Sequence, residues 1–245
     1  MSEGSPSSFP DVPPEAQAPV HRSGYLYWVM KVVLTPVLTV AFRPRVEGVA
    51  HVPRRGAAVL ACNHVSYLDW LVLPLVVRTR RISFLAKREY FTEPGLRGAL
   101  KRYFFRATGQ VPVDRGDAGS ASAALRTAQR LLGEGRLLGI FPEGTRSRDG
   151  RLQRGRTGIA RLASETGVVV VPCATVGLFS AAPAGARLPR PRKVTVRFGA
   201  PMTFPAQASG RATAEELRAW TDEVMLAIQV LSGQQLSESG GLTEV

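Results

Sequence analysis

The stretch Asn63-His64-Val65-Ser66-Tyr67-Leu68-Asp69 brings together the residue types of proton-transfer chemistry. An imidazole held at one nitrogen by a carboxylate keeps the other nitrogen free to take a proton. That is a general base with an orienting acid that fixes its tautomer. The same spacing also suits a turn histidine followed by a helix-start carboxylate, so the pair alone leaves both readings open. The flanking sequence says how the pair is carried. The apolar run Ala57 to Cys62 predicts a buried strand. Tyr67 to Val77 predicts a helix with Ser66 as its N-cap, shortened or bent by Pro74. His64 then sits in a strand-to-helix turn and Asp69 in the first helical turn.

The chain that must build this site has 245 residues and an ordinary apolar fraction, enough for the core of one α/β domain. It contains no internal repeat and no heptad run. Lys and Arg number 32 against 19 Asp and Glu, a formal charge of +13. Such an excess suits nucleic acid, anionic lipid or an acidic substrate without choosing among them. The basic residues lie scattered between apolar runs, without the aromatic interleaving of a single-strand binder. No helix-turn-helix, RNA-recognition or zinc signature points to nucleic acid, so no nucleic-acid partner is expected. Cys62 and Cys173, each in or beside an apolar run, are expected to be buried free thiols. Three histidines without a His/Cys cluster at ligand spacing argue against a metal site.

Residues 1–23, rich in Ser, Pro, Glu and Ala, read as a disordered tail. Residues 24–42 read as a membrane-associating helical segment, apolar apart from Lys31 and broken by Pro36. Tyr25, Tyr27 and Trp28 gather at its start, as aromatics do at a bilayer interface. The segment is slightly short for a span of about 20 residues. A kinked helix or helical pair lying in the interface is the first reading, a single span the second, and a helix packed on the protein's own core the third. Residues 43–232 read as one domain. Its strands are expected at 45–52, 57–62, 82–86, 109–115, 137–141, 168–171 and 193–198, the sixth stopped by Pro172. Helical spacing marks 96–105, 121–132 and 157–166, and a Thr213/Glu216 capping box opens a closing amphipathic helix. This succession predicts an α/β fold, a mixed and mostly parallel sheet flanked by helices. From residue 233 onward the chain reads as a flexible tail. Active-site groups in such sheets gather beyond the carboxyl ends of strands, where His64, Arg115 and the loop Glu143 to Arg146 all fall.

Two blocks, NHVSYLD at 63–69 and FPEGTRS at 141–147, stand in order. Together they resemble the glycerolphosphate and lysophospholipid acyltransferase family, which includes the 1-acylglycerol-3-phosphate acyltransferases. His64 and Asp69 match the family's first block, and FPEGTRS matches its third without change. Gly109 through Arg115 is similar to the second, with Pro112 where members often carry an aromatic or apolar residue. Val168 through Pro172 is similar to the fourth, and Phe84 to Lys87 is similar to the stretch between the first two. Many members carry a Lys before Gly158, where this chain offers Arg154 and Arg156. The resemblance covers about residues 46 to 201.

The resemblance implies transfer of a fatty acyl group from a thioester, on coenzyme A or acyl carrier protein, to the hydroxyl of a lysophospholipid. The most direct product is phosphatidic acid from 1-acylglycerol-3-phosphate. His64 would be the base and Asp69 its support. Arg115 and Arg146 would meet the acceptor's phosphate, since Arg presents several donors in a fork. Gly144 and Thr145 would offer a close backbone and a hydroxyl. Glu143 would hold an Arg or a substrate hydroxyl, and Lys87 would face coenzyme A phosphates or water. No bound cofactor is expected. No G-x-S-x-G nucleophile elbow is present, which favours direct transfer over an acyl-enzyme. The resemblance further implies a peripheral enzyme at the cytoplasmic face of the cell membrane, with an anionic membrane surface as partner. Another lysolipid or glycolipid acceptor, and a non-catalytic membrane-binding protein, are the competing readings.

Overall fold

The computed structural model describes residues 24–113, 118–183, 188–206 and 210–237. The expected tail at 1–23 and residues 238–245 of the expected C-terminal tail lie outside the described residues. In chain order, helix α1 (Gly24–Phe42) leads to strand β1 (Arg45–Glu47), a 3-10 turn at Val49–His51, β2 (Ala58–Cys62) and α2 (Asp69–Val76). Then come β3 (Ile82–Lys87), α3 (Glu89–Thr92), α4 (Gly95–Ala107), β4 (Gln110–Val113) and α5 (Ala118–Gly133). The chain continues through β5 (Leu137–Ile140), α6 (Gly158–Thr166), β6 (Val169–Val176), α7 (Leu178–Ala181), β7 (Thr195–Phe198) and α8 (Ala214–Ser232).

The strands form one seven-stranded sheet in the order β1-β7-β6-β2-β5-β3-β4. Every neighbouring pair is parallel except β6 with β7. The carboxyl ends of β2 to β6 therefore share one edge of the sheet, and the amino ends of β1 and β7 reach that same edge. β2 lies near the middle and is buried along its whole length, as a continuous apolar run requires of a strand covered on both faces. Its side chains alternate. Ala58, Leu60 and Cys62 pack with Phe42 of α1 and Val72, Leu73 and Val76 of α2. Val59 and Ala61 pack with α5, α6 and α8 through Leu131, Ile159, Leu162, Val224 and Ile228. Each fully buried Leu, Ile or Val on these faces contributes roughly 1.5–3 kcal/mol. Cys62 and Cys173 are buried free thiols paired in register across β2 and β6. The Thr213/Glu216 capping box is formed at the start of α8.

Five local expectations change. The strand expected over 45–52 is cut to Arg45–Glu47, because Gly48 takes a left-handed turn and Val49–His51 coils into a 3-10 turn. Ser66 does not cap α2, which begins three residues later at Asp69 with Leu68 at the N-cap. The Ser66 hydroxyl instead donates to Ala182 O (2.8 Å) and accepts from Leu68 N (3.2 Å). β6 does not stop at Pro172 but runs on to Val176. The carbonyl of Pro172 accepts from Gly199 N, so its missing N–H also faces the β7 side. The β6–β7 ladder closes here, next to Cys173–Phe198, so the proline forgoes only the reciprocal bond to Gly199 O at the ladder's end and leaves the pairing with β2 intact. The segment 24–42 is one continuous helix through Pro36, not a helical pair, and one side of it packs on the core through Tyr27, Leu38 and Phe42. Among the described residues no helix is long and apolar enough to cross a membrane. Finally, the chain stays bound past residue 233. Leu236 bridges to Leu152, Leu152 N donates to Gln235 O, and Ser237 N donates to Leu152 O.

Candidate active site

The site starts where β2 ends. Asn63 is fully buried and ties that end to β6: its Oδ1 accepts from Thr175 N (2.8 Å) and its Nδ2 donates to Thr175 O (3.2 Å) and Gln234 Oε1 (2.7 Å). The chain then turns through His64 into α2, whose first residue is Asp69. His64 Nδ1 lies 2.9 Å from Asp69 Oδ2. Asp69 is fully buried, and its carboxylate accepts three further hydrogen bonds, from Val65 N, Ser66 N and Thr175 Oγ1, each at 2.9 Å. A carboxylate surrounded by donors can meet His64 only as another acceptor. Nδ1 therefore carries the proton and Nε2 has the free lone pair. Thr175 reaches Asp69 because β6 continues beyond Pro172.

The end of β5 closes over the histidine. Phe141 stacks on the His64 ring with centroids 4.0 Å apart and planes 14° from parallel. Glu143 is buried, and both of its oxygens are taken by backbone: Oε1 by His64 N (2.6 Å) and Oε2 by Gln153 N (2.9 Å). Ser147 N donates to His64 O (2.8 Å). The FPEGTRS loop thus holds the backbone of His64 at both its N–H and its C=O. Burial pushes the Glu143 carboxyl up to about 7, against the two N–H bonds that pull it down. Its carboxylate bonds the backbone on both oxygens, beside the Arg or substrate hydroxyl expected as its partner.

Gly144 turns the loop with φ of 72°, a conformation that favours glycine. A Cβ here would stand 2.7 Å from Arg156 Nε and 2.9 Å from its Cδ. The glycine therefore lets the Arg156 side chain lie against the loop, while Arg156 N donates to Pro142 O (2.8 Å). Thr145 and Arg146 are exposed.

His64, Asp69, Glu143, Gly144, Thr145 and Arg146 are thus brought to one place. Lys87 is the last residue of β3, and its side chain is not among those described. Arg115 lies outside the described residues, two positions beyond the end of β4. Of the two arginines before Gly158, Arg156 comes to the loop and Arg154 is exposed. Sequence reasoning passed over Thr175, Gln153 and Gln234, which have no local signal, and Phe141 and Asn63, which stand inside the two quoted blocks. Among the described residues no group of three or more His, Cys, Asp or Glu is gathered to hold a metal ion. An imidazole with a free Nε2, held by a loop that carries the exposed Arg146 and has Arg156 lying against it, can deprotonate an alcohol on a molecule that also carries an anion.

Residues 43–176 match the Acyltransferase family. The 1-acyl-sn-glycerol-3-phosphate acyltransferase of Bacillus subtilis is 29% identical over 202 residues, which cover 82% of this chain and 94% of that protein. The chloroplastic 1-acyl-sn-glycerol-3-phosphate acyltransferase LPAT1 of Arabidopsis thaliana is 30% identical over 166 residues, 67% of this chain and 45% of that protein. The chain spans about half the length of the chloroplast relatives it matches. The crystal structure of the 1-acyl-sn-glycerophosphate acyltransferase PlsC from Thermotoga maritima superposes with a TM-score of 0.62 at 27% identity, over 82% of this chain and 78% of that one.

Proposed function

The chain belongs to the acyltransferase family, and from that premise we propose that it makes phosphatidic acid by acylating 1-acylglycerol-3-phosphate. The donor is a fatty acyl thioester on coenzyme A or acyl carrier protein. One observation carries the reading: the 2.9 Å contact of His64 Nδ1 with an Asp69 whose other hydrogen bonds are all accepted ones. His64 Nε2 takes the acceptor's hydroxyl proton while that oxygen attacks the thioester carbonyl. The C–S bond breaks as the tetrahedral intermediate collapses, and the imidazolium gives its proton to the departing thiolate. Asp69 stabilises the imidazolium between the two steps, and general-base help of this sort is worth roughly 100- to 10,000-fold in rate. Arg146 and Arg156 hold the acceptor's phosphate beside the Gly144 turn.

Both lipid substrates partition into bilayers, and the reading places the enzyme peripherally at a membrane surface, on the cytoplasmic leaflet. Its support is the outward side of α1, where Val32 (71%), Val33 (58%), Val37 (63%) and Val40 (77%) are exposed. Lys31, the charge within that helix, turns inward: Nζ donates to Val77 O at 2.7 Å and lies over the Trp28 ring, 5.0 Å from its centroid. Burial lowers its pKa to about 8. α4, which packs beside α1, adds Leu96, Leu100 and Tyr103, exposed at helical spacing. An uncharged face of this kind suits a helix lying in the interface.

The test offers the purified protein a panel of lysolipids with a labelled acyl thioester on either carrier. Labelled phosphatidic acid from 1-acylglycerol-3-phosphate is the expected product. Label transferred only to another lysolipid would replace the acceptor, and no transfer to any would remove the reading.

A further inference from the structure

The same sheet edge carries a second basic feature that the catalytic chemistry does not use. A cleft of about 480 Å³ opens there, lined by Arg43, Gly177, Ser180, Pro191, Arg192 and Lys193. Its size is that of a small-ligand site. Arg43 stands directly after α1, Gly177 forms the β6–α7 turn, Ser180 lies in α7, and Arg192 and Lys193 lead into β7. The three cations are exposed, and among the described residues none of them is paired with a carboxylate. Glu47, the acid nearest to Arg43 in sequence, is already bonded to Arg45 and Arg197.

Arg43 supplies an independent sign. Its φ is 39°, the one non-glycine residue in the left-handed region among those described, and its N–H closes the last turn of α1 on Thr39 O. Glycine is the usual residue at such a helix end, because a Cβ there is strained. A strained arginine kept at that position, with its side chain lining a cationic cleft, is the pattern of a binding residue held against its local preference.

We propose that this cleft binds the phosphate of an anionic phospholipid headgroup in the bilayer, separately from the acceptor's phosphate at Arg146 and Arg156. The proposal rests on the reading of α1 as the membrane-facing helix. The cleft begins where α1 ends, so a helix lying in the interface delivers Arg43 to headgroup level. The edge that carries His64 must also face the bilayer for lipid substrates to enter, and the cleft opens on that edge. Cations at a membrane surface each favour anionic lipid, whereas neutral lipid gains nothing from them.

Vesicle co-sedimentation tests this, with phosphatidylcholine alone and with phosphatidylcholine containing phosphatidylglycerol. Replacing Arg43, Arg192 and Lys193 together with Gln is expected to weaken binding to the anionic vesicles roughly 100-fold and leave binding to neutral ones unchanged. The control R54Q/R55Q/R161Q removes equal charge elsewhere and is expected to cost only a few-fold. Arg43→Gly alone is expected to lose about fivefold in anionic-vesicle affinity while raising Tm, because it removes charge and strain together. Equal losses in both triple variants would reduce the effect to the protein's overall charge and overturn the site. So would an unchanged affinity in the cleft variant, or wild-type protein that ignores anionic vesicles. A raised acceptor KM with unchanged vesicle binding would make the cleft a substrate-phosphate site and overturn it too. Val33→Asp/Val37→Asp separates the underlying reading: if that variant binds both vesicles as wild type does, α1 is not the membrane face.

Discussion

His64 and Arg146 lie on neighbouring loops at one sheet edge, and the fold holds them in opposite ways. The backbone of His64 is bonded at both its N–H and its C=O, its ring is stacked on Phe141, and its Nδ1 is bonded to a buried acid. Arg146 and Thr145 are exposed at the tip of the loop that does this holding, past a glycine in the left-handed region. A base must meet one proton along one line, so its freedom is removed by many short bonds. A cation that attracts a phosphate needs charge and reach, and solvent-exposed freedom does not harm it. The held region should therefore answer to mutation in kcat, and the free region in KM.

Asp69→Asn attacks the held region at its centre. One side of the amide would present donors to the donors that now surround Asp69, and Nδ1–H of His64 would lose its fixed acceptor. We expect kcat to fall roughly 1,000-fold with KM little changed, and stability to fall by about 2–4 kcal/mol in denaturant unfolding. Arg146→Ala tests the free region. Loss of a charged hydrogen bond should raise the acceptor's KM about 10- to 100-fold and leave Tm in place. A fall in kcat alone from Arg146→Ala, or a rise in KM alone from Asp69→Asn, would erase the contrast.

Thr175→Val sharpens it, because Thr175 touches no reacting atom and its hydroxyl meets Asp69 Oδ1 at 2.9 Å, with Asn63 Oδ1 further off at 3.3 Å. About a tenfold loss of kcat with unchanged KM is expected, restored by Thr175→Ser. A loss of stability with kcat intact would make Thr175 a purely structural residue. The smallest effect concerns pH. Glu143 sits at about 7 in the fold against 4.5 for an ordinary glutamate, so between those values the folded chain holds a proton the unfolded chain has lost. Its contribution is present in full below about 4.5 and is lost as pH rises through about 7. Glu143→Gln should flatten the decline of Tm across that window. An equally steep decline in the variant would assign the slope to another group.

Much of this arrangement was legible in the residues, and the legible part has a common cause. β2 and β5 are continuous apolar runs, and a chain has few ways to bury such runs other than as central strands. The two blocks that follow them fall at the carboxyl edge by topology, which is why His64 and the FPEGTRS loop meet. What the sequence did not reveal depends on partners distant along the chain. Pro172 reads as a stop because its lost N–H matters only if a strand lies on that side, and β7 ends one residue short of it. Thr175, beyond that proline, was consequently passed over as a partner of Asp69. Ser66 has the type and place of an N-cap, yet the residue that ends α7 offers Ala182 O as a competing acceptor 116 residues away. Gln234 sits in a polar stretch that reads as tail, and the Leu152–Leu236 bridge together with its own bond to Gly150 O brings it to Asn63.

The most direct measurement follows acylation of 1-acylglycerol-3-phosphate by a labelled thioester with wild-type protein and with His64→Ala at equal Tm. Loss of roughly 100- to 10,000-fold in kcat, with both substrates still bound, is the expected result for a base supported by Asp69. Turnover within a few-fold of wild type in His64→Ala would contradict it, because no imidazole would then be needed to take the proton.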